Sequence, residues 1–473
     1  MQGRALRLIF VKMNNTPILL AIDWANAGSK AAQLILSLSL IVIVHEFGHY
    51  LPAKIFRCRV EKFFLFFDPW FALVKKKVGE TVYGIGWLPL GGYVKIAGMV
   101  DESMDKEQMK QPPQPWEFRS KPAWQRLIIM LGGVTMNVLM AFVIYAMILF
   151  TWGEKKIPMS GITYGVSVTD SLMYEMGFRN GDKILSVNGE PVTYFDDLTK
   201  TLLLGENVEL ERDGKKQTIN LPVNLIGKLV EKKRTGQPFF IPRIPVIADQ
   251  VPDTSNAYKA GLRRLDQITA VEGIATPFYE EYKKAVDAHK GQSIRLTIDR
   301  NSKTDTLHAD VNADGTLGFY RLGDLETLDS LGLIRIERKE YSFFASFPAG
   351  IHLAGETLKS YIDQFKKVLS PKTGAYKGVG GFKAIGSIFP SMWDWQSFWT
   401  ITAFLSVILA FMNILPIPAL DGGHVLFTLL EMITGRKPSQ KVLEYAQVIG
   451  MVLLLGLMIY ANGNDWFGWG RGK

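Results

Sequence analysis

The stretch IVIVHEFGHY, residues 41–50, places the pattern H-E-x-x-H inside an apolar run, Ala31 to Phe56, that is long enough to cross a bilayer. Residues four apart share one face of a helix, so His45 and His49 can bind one metal ion while Glu46 lies one position away. This spacing is typical of zinc hydrolases, in which two neutral imidazoles bind the metal and a carboxylate takes a proton from water. A soluble amphipathic helix is disfavoured because the flanks are apolar on every side rather than along one stripe.

Composition excludes several other classes of protein. The formal net charge of +9 comes largely from lysines and arginines that lie between apolar segments. The cytoplasmic loops of membrane proteins usually carry such an excess of basic residues. Nucleic-acid binding is therefore not expected. The single cysteine, Cys58, excludes an intramolecular disulfide and a cysteine-rich zinc module.

Apolar segments of membrane-spanning length occur four times. They cover about Ala31 to Phe56, Leu127 to Trp152, Phe398 to Leu415 and Val442 to Ala461. Basic residues cluster between the first and second segments and between the third and fourth, so both connections are predicted to be cytoplasmic. Both termini would then lie on the outer side of the membrane.

Residues 86–95, GWLPLGGYVK, are apolar and rich in strand-forming residues, but too short to span a membrane. Irregular backbone at membrane depth is tolerated where protein surrounds it. The stretch therefore predicts a re-entrant β-hairpin beside the active site, with a free strand edge for an extended peptide. A hairpin at the membrane surface, anchored by Trp87 and Tyr93, is an equal alternative.

An internal repeat follows the second span. The stretch GFRNGDKILSVNG, residues 177–189, matches GLRRLDQITAVEG, residues 261–273. Each copy indicates a turn, a strand with alternating apolar residues and a second turn, followed by a helix and another strand. The pattern resembles PDZ domains, which accept a peptide as an added strand, over about Gly161 to Val223 and Ile244 to Phe319.

A third zinc ligand is expected in residues 413–424, NILPIPALDGGH. Here Asp421 ends an apolar span that two prolines break into extended backbone. A carboxylate suits zinc, and two glycines follow it, so Asp421 is preferred over the rival ligand His424. The alternative is that Asp421 only caps the helix that follows.

Together these motifs resemble the site-2 protease family. H-E-F-G-H in an early span, L-P-L-G-G-Y-V-K in the next loop, paired PDZ-like repeats and N-x-L-P-x-P-x-L-D-G-G in a late span occur in the order of its bacterial regulator-of-sigma-E-protease branch. The resemblance implies an intramembrane zinc metalloprotease. Its substrates would be single-spanning membrane proteins already trimmed on their outer side, such as anti-sigma-factor-like proteins or signal-peptide remnants. It also implies one zinc ion per chain, held by His45, His49 and Asp421, with Glu46 activating water.

Other residues are expected to hold the unwound substrate. Asn137, which ends the G-x-x-x-N motif GVTMN at residues 133–137, and Asn413 carry amides that are costly in a span unless they bind something. Hydrogen bonds between helices are the alternative for both. An edge strand is predicted to pair with the substrate backbone through Leu90, Gly91, Gly92, Tyr93 and Val94.

The predicted fold class is a polytopic α-helical membrane protein of about four spans with a re-entrant β-hairpin and two PDZ-like β-sandwich domains between spans two and three. The expected domains are the N-terminal membrane half, two PDZ-like domains, an amphipathic helix with its loop, and the C-terminal membrane half, at residues 1–152, 153–235, 236–322, 323–397 and 398–473. We expect a monomer in the lipid bilayer of the bacterial inner membrane, with its active site towards the cytoplasm. The PDZ-like pair would lie in the periplasm as a size filter or sensor, or as a plain spacer.

Two functions of other classes fit less well. A catalytically silent membrane scaffold would have no need of the complete set His45, Glu46, His49 and Asp421. An ion transporter is disfavoured because the four spans show no inverted repeat.

Overall fold

The computed structural model describes residues 8–13, 16–21, 24–89, 91–99, 112–232 and 238–470. The chain divides into two units. The helical unit comprises the described parts of residues 1–153, 340–371 and 375–473, and the β-rich unit comprises those of 154–339 and 372–374.

The helices of the described residues are named in chain order. They are α1 (Trp24–Ile55), α2 (Ala123–Trp152), α3 (Ser171–Glu175), α4 (Leu198–Leu204), α5 (Leu225–Glu231), α6 (Asn256–Lys259), α7 (Tyr279–Asp287), α8 (Leu325–Ser330), α9 (Phe343–Leu369), α10 (Phe382–Ser387), α11 (Trp395–Ile414), α12 (Asp421–Thr434) and α13 (Gln440–Phe467).

The strands are named in the same way. They are β1 (Leu8–Met13), β2 (Thr16–Ala21), β3 (Val60–Leu65), β4 (Phe67–Val78), β5 (Thr81–Leu88), β6 (Tyr93–Ile96), β7 (Glu154–Lys156), β8 (Val166–Val168), β9 (Lys183–Val187), β10 (Glu190–Pro191), β11 (Asn207–Arg212), β12 (Lys215–Asn220), β13 (Phe240–Pro242), β14 (Val246–Ile247), β15 (Gln267–Val271), β16 (Ile274–Ala275), β17 (Ser293–Arg300), β18 (Lys303–Asp310) and β19 (Glu337–Lys339).

Four helices in the described part of the chain, α1, α2, α11 and α13, are long and apolar enough to cross a membrane. Each of the four predicted spans thus corresponds to such a helix, but some of the helices run past the predicted ends. Helix α1 begins at Trp24 rather than Ala31, and α13 ends at Phe467 rather than Ala461. Apolarity marks the part of a helix that fits the hydrocarbon core, whereas backbone hydrogen bonding continues into the polar flanks.

Helix α9 packs along α2. Its small residues Ser346, Gly350 and Ala354 are buried, and a Cβ at Gly350 would lie 2.6 Å from the backbone nitrogen of Ala146. Such small residues let two helix backbones approach closely. The predicted amphipathic helix therefore packs on the helix bundle.

A four-stranded sheet follows α1, in the order β4-β5-β3-β6. The predicted hairpin at residues 86–95 is wrong, since β5 and β6 both flank β3 and do not pair with each other. Instead β5 pairs with β4 across a two-residue turn, in which Gly79 has a φ of 61°. A tight turn joins neighbouring strands at once, so this long hairpin forms in preference to the shorter one. Strand β6 remains at the edge of the sheet.

The two largest sheets of the β-rich unit share four strands in the same order. The first is β10-β9-β11-β12, and the second is β16-β15-β17-β18, with β14 also paired to β15. Each sheet packs on its own hydrophobic core, around Phe178 and Phe239 in the first and around Leu262 and Ile298 in the second. The internal repeat therefore corresponds to two similar folding units.

Each of the two repeats contains an equivalent buried ion pair. Arg212 donates to both carboxylate oxygens of Asp182, at 2.7 and 2.8 Å, and Arg300 does the same to Asp266, at 2.7 and 2.6 Å. The aspartates are almost fully buried, and these hydrogen bonds raise the pKa of both arginines. A paired charge of this kind fixes the loop before strand β9 or β15, because breaking it would leave a carboxylate buried without its partner.

The turn of the second repeat forms although Leu265 replaces Gly181. Leu265 has a φ of 69° where Gly181 has 92°, and the two backbone N–H groups donate to Ala248 and Val166 at 2.7 and 2.8 Å. A left-handed conformation costs a leucine about 1–2 kcal/mol. The surrounding contacts therefore impose the turn in this repeat.

Candidate metal centre

The metal centre begins where α1 crosses α2 with their backbones in contact. A Cβ at Gly48 would lie 2.3 Å from the carbonyl oxygen of Gly132, and one at Gly132 would lie 1.9 Å from that of Gly48. No side chain fits at either position. The crossing places His45 and His49, one helical turn apart, directly against α2.

Gly133 provides the space for both imidazole rings. A Cβ there would lie 2.4 Å from Nε2 of His49 and 2.6 Å from Cε1 of His45. The rings meet edge to face, with centroids 4.8 Å apart. The glycine pair of the second span is thus required by two separate contacts, one with the backbone of α1 and one with its histidines.

The opposite side of the centre is formed where α11 gives way to α12. Helix α11 ends at Ile414, because Pro416 and Pro418 cannot continue it, and α12 begins at Asp421. The intervening loop folds back over the first turn of α12. A Cβ at Gly422 would lie 2.1 Å from the carbonyl oxygen of Leu415, so this close fold explains a glycine after Asp421.

Three side chains converge between these elements. Oδ2 of Asp421 lies 3.2 Å from Nε2 of His45 and 3.2 Å from Nε2 of His49, and the two nitrogens are themselves 3.2 Å apart. Zinc binds histidine nitrogen and carboxylate oxygen at about 2.0–2.1 Å, so tetrahedral ligands are separated by roughly 3.3 Å. The residues present therefore fit a zinc ion. Among the described residues, His45, His49 and Asp421 form the group of three side chains that could hold a metal.

Both imidazoles are oriented through their second nitrogen. Nδ1 of His49 lies 2.8 Å from the carbonyl oxygen of Ile129, which can only accept, so Nδ1 carries the proton and Nε2 is free for a metal. Nδ1 of His45 lies 3.2 Å from the side-chain amide of Asn137. Ser406 in turn donates to the backbone carbonyl of Asn137 at 2.8 Å, which joins α11 to this arrangement.

Glu46 lies in a cavity of about 840 Å³ whose lining includes the three converging residues. The edge strand β6 lies close to it, with Val94 lining the same cavity. Gly92 permits this approach, since a Cβ there would lie 2.7 Å from Cγ1 of Val42 and 3.5 Å from Cγ of Glu46. The free edge of the sheet and the carboxylate thus face the same space.

The predicted substrate-binding residues have different surroundings. Asn413 lines the cavity, with its amide nitrogen 3.3 Å from Nε2 of His45, whereas Asn137 is fully buried behind the ring. His424 also lines the cavity but is not part of the converging group. Of the predicted edge strand, Leu90 lies outside the described residues, and the members that line the cavity are Gly91, Gly92, Tyr93 and Val94.

Sequence reasoning missed two contributors to the centre. The carbonyl of Ile129 carries no side-chain signal, and only the helix crossing brings it to His49. Gln447 accepts a hydrogen bond from the backbone N–H of Ala419, two residues before Asp421. A polar glutamine within an apolar span is a signal that could have identified it.

Comparison with known proteins agrees with this geometry. Residues 33–457 match the sequence profile of Peptidase family M50. The chain belongs to this family. The resemblance to site-2 proteases is therefore confirmed, and this M50 chain is a membrane-embedded zinc metalloprotease, a hydrolase whose cofactor is zinc.

Curated relatives of this M50 chain extend along nearly all of it. The Regulator of sigma E protease of Haemophilus influenzae is 27% identical over 457 residues, covering 91% of this chain and 97% of the relative. A protein of Neisseria meningitidis whose name contains the words zinc metalloprotease is 28% identical over 451 residues, with the same coverage. One from Thermotoga maritima, similarly named, is 27% identical over 504 residues.

Replacing Gly133 by alanine should weaken zinc binding. Alanine favours a helix over glycine by about 1 kcal/mol, so α2 itself gains stability, but the new methyl group meets both imidazoles. We expect zinc affinity of the purified protein to fall at least about tenfold, measured by competition with a chelator. Gly456→Ala is the control, because no atom lies within 4 Å of its Cβ position. Unchanged affinity in Gly133→Ala would contradict the packing described above.

Proposed function

We propose that this M50 chain is an intramembrane protease that hydrolyses peptide bonds within or near the membrane-spanning segments of single-pass proteins. The observation that carries the proposal is the triangle of His45, His49 and Asp421 beside Glu46. Three of these residues belong to a span, and the fourth begins the helix after another span. Anti-sigma-factor-like proteins and signal-peptide remnants, already trimmed on the outer side, are the proposed substrates.

His45, His49 and Asp421 would hold the zinc ion, with one ion per chain. Their atoms have the separation that tetrahedral zinc ligands require, and three protein ligands leave a fourth position for a catalytic water. A bound zinc ion supplies Lewis-acid activation of that water and of the scissile carbonyl.

Glu46 is the proposed general base. Its carboxylate accepts the proton of the attacking water and can then deliver it to the nitrogen of the leaving amine. Glu46 lines the same cavity as the edge strand residue Val94, so its carboxylate would act where the substrate backbone is proposed to bind.

Strand β6 is the proposed docking edge for the unwound substrate. A helix in a membrane satisfies its own backbone groups, so a cleavable segment must exchange those hydrogen bonds for others. An edge strand offers them, and Gly91, Gly92, Tyr93 and Val94 line the cavity. The Asn413 amide, 3.3 Å from Nε2 of His45, would bind the same peptide.

For Asn137 we propose a different role from the substrate clamp expected from the sequence. If His45 binds zinc through Nε2, its Nδ1 carries a proton and needs an acceptor. Oδ1 of Asn137 is buried without a hydrogen-bond partner among the described residues, and a half-turn of the amide brings it to Nδ1. Asn137 would then orient the ring of His45.

The two sheets of the β-rich unit are proposed to be tandem PDZ-like domains, with the domain boundaries predicted from the sequence. Their shared strand order and their paired Asp–Arg contacts support two equivalent modules. We propose that they act as a size filter or sensor in the periplasm, while the catalytic centre lies towards the cytoplasmic side of the bacterial inner membrane. The protein would work there as a monomer.

Replacing Glu46 by glutamine should abolish cleavage while zinc stays bound. The amide keeps the size of the side chain but cannot accept the proton, and loss of a general base costs about 10²–10⁴-fold in rate. The measurement is cleavage of a truncated single-span substrate, together with metal analysis of the same sample. Glu80→Gln, in the exposed turn between β4 and β5, is the control. Normal turnover by Glu46→Gln would refute the mechanism.

Separate alanine variants of Asp421 and His424 should identify the third ligand. Asp421→Ala is expected to lose most of its zinc, because two histidines alone do not make a catalytic zinc site. His424→Ala should retain zinc at full stoichiometry, measured by metal analysis after dialysis. The opposite pattern would transfer the ligand role to His424.

Leucine variants should separate the roles of the two asparagines. Asn137→Leu keeps the branched shape of the side chain but removes the acceptor for His45, so we expect zinc affinity to fall about tenfold. Asn413→Leu should keep zinc affinity and lower kcat/KM, since its amide faces the cavity. Chelator competition and steady-state kinetics on both variants make the comparison. An equal loss of zinc affinity in the two variants would contradict the separate roles proposed for Asn137 and Asn413.

A further inference from the structure

The fourth span contacts the rest of the helical unit at two short patches. In α13, all of which the structure describes, the buried residues are Gln447 and Gly450 in one patch and Ala461, Gly463 and Asn464 in the other. The second patch binds the backbone after α9, where Asn464 donates to the carbonyls of Lys377 and Val379. The first patch meets the loop that carries Asp421.

At this patch Gly450 accepts the loop backbone. A Cβ on Gly450 would lie 1.6 Å from the carbonyl oxygen of Pro418, and a Cβ on Gly423 would lie 2.8 Å from Cα of the same proline. Pro418 is therefore held in a slot between two glycines, one on α13 and one on α12. Any side chain at either glycine would displace the loop.

Gln447 holds the next residue of the loop. Its Oε1 accepts from the backbone N–H of Ala419 at 3.2 Å, and its side chain is only 6% exposed. Ala419 has a φ of 79°, a left-handed conformation that is unfavourable for any residue with a Cβ. Such a conformation persists only where the surroundings impose it, and Gln447 supplies a contact that does so.

We propose that Gln447 and Gly450 are positioning residues that hold the loop of residues 415–420 so that Asp421 reaches the two histidines. Asp421 follows Ala419 by two residues at the start of a new helix, so a shift of the loop moves the carboxylate directly. The fourth span thereby becomes part of the metal centre without contributing a ligand. This inference rests on the proposed role of Asp421 as a zinc ligand.

The test uses the full-length protein purified in detergent. The variants are Gln447→Leu, which removes the acceptor, Gln447→Glu, which keeps one, and Gly450→Leu, which fills the slot. Gly456→Leu in the same helix is the matched control, because no atom lies within 4 Å of its Cβ position. Three quantities are measured: zinc affinity by chelator competition, the visible spectrum of the cobalt-substituted protein, and the melting temperature of the metal-free protein.

We expect Gln447→Leu to weaken zinc binding about tenfold and Gly450→Leu to weaken it further, with altered cobalt spectra. Gln447→Glu should restore the affinity, and Gly456→Leu should match the parent. The melting temperature of metal-free Gln447→Leu should stay near that of the parent, because the substitution acts on the position of Asp421. A general loss of stability would instead lower the melting temperature. Parental zinc affinity and cobalt spectrum in Gln447→Leu would overturn the proposal, as would an equal loss in Gly456→Leu.

Two further results separate the role of the fourth span from the ligand role of Asp421. If Gly450→Leu does not fold, Gln447→Leu and its glutamate counterpart decide the matter alone. Asp421→Ala is measured in parallel: loss of zinc there, with parental affinity in Gln447→Leu, would overturn only the role of the fourth span. Full zinc binding in Asp421→Ala would overturn the ligand assignment itself and this inference with it.

Discussion

The backbone contact between Gly48 and Gly132 is the constraint on which the centre depends. Two helices usually keep their axes 8–10 Å apart because side chains separate them, and here no side chain fits between the backbones. The contact brings the Ile129 carbonyl to His49 and the Asn137 amide to His45. The same crossing therefore both presents the imidazoles and determines which of their nitrogens can bind a metal.

The carboxylate reaches the histidines by a different route. Two prolines end α11, and the loop that follows returns tightly enough to require glycines at the start of α12 and in the middle of α13. Such irregular backbone is tolerated within a membrane when protein surrounds it. Here the surrounding protein includes the fourth span, through the hydrogen bond from the Ala419 N–H to Gln447. The centre thus combines one rigid helix crossing with one loop held in place by its neighbours.

The β elements show where local patterns are overridden. Strand-forming residues at 86–95 do form strands, yet β3 lies between them because the tight turn after Val78 commits β5 to β4. This pairing leaves β6 at the edge beside Glu46, so the cavity gains a free strand by a route that differs from the predicted hairpin. In the β-rich unit, Leu265 adopts a conformation suited to glycine because the Asp266–Arg300 pair and its neighbours fix that turn.

The sequence by itself determined the four spans, the internal repeat and the residues from which a zinc centre could be built, since apolar length, repeated motifs and the spacing of His45 and His49 are local properties. Asp421 was expected from its chemistry and its place after a broken span. Only the tertiary structure decided which groups meet: the Ile129 carbonyl, the buried position of Asn137 behind His45, and the contact of Gln447 with the loop before Asp421. These contacts join segments far apart in the chain. A polar residue in a span, such as Asn137 or Gln447, indicates only that it needs a partner, and the backbone carbonyl of Ile129 carries no residue-specific signal at all.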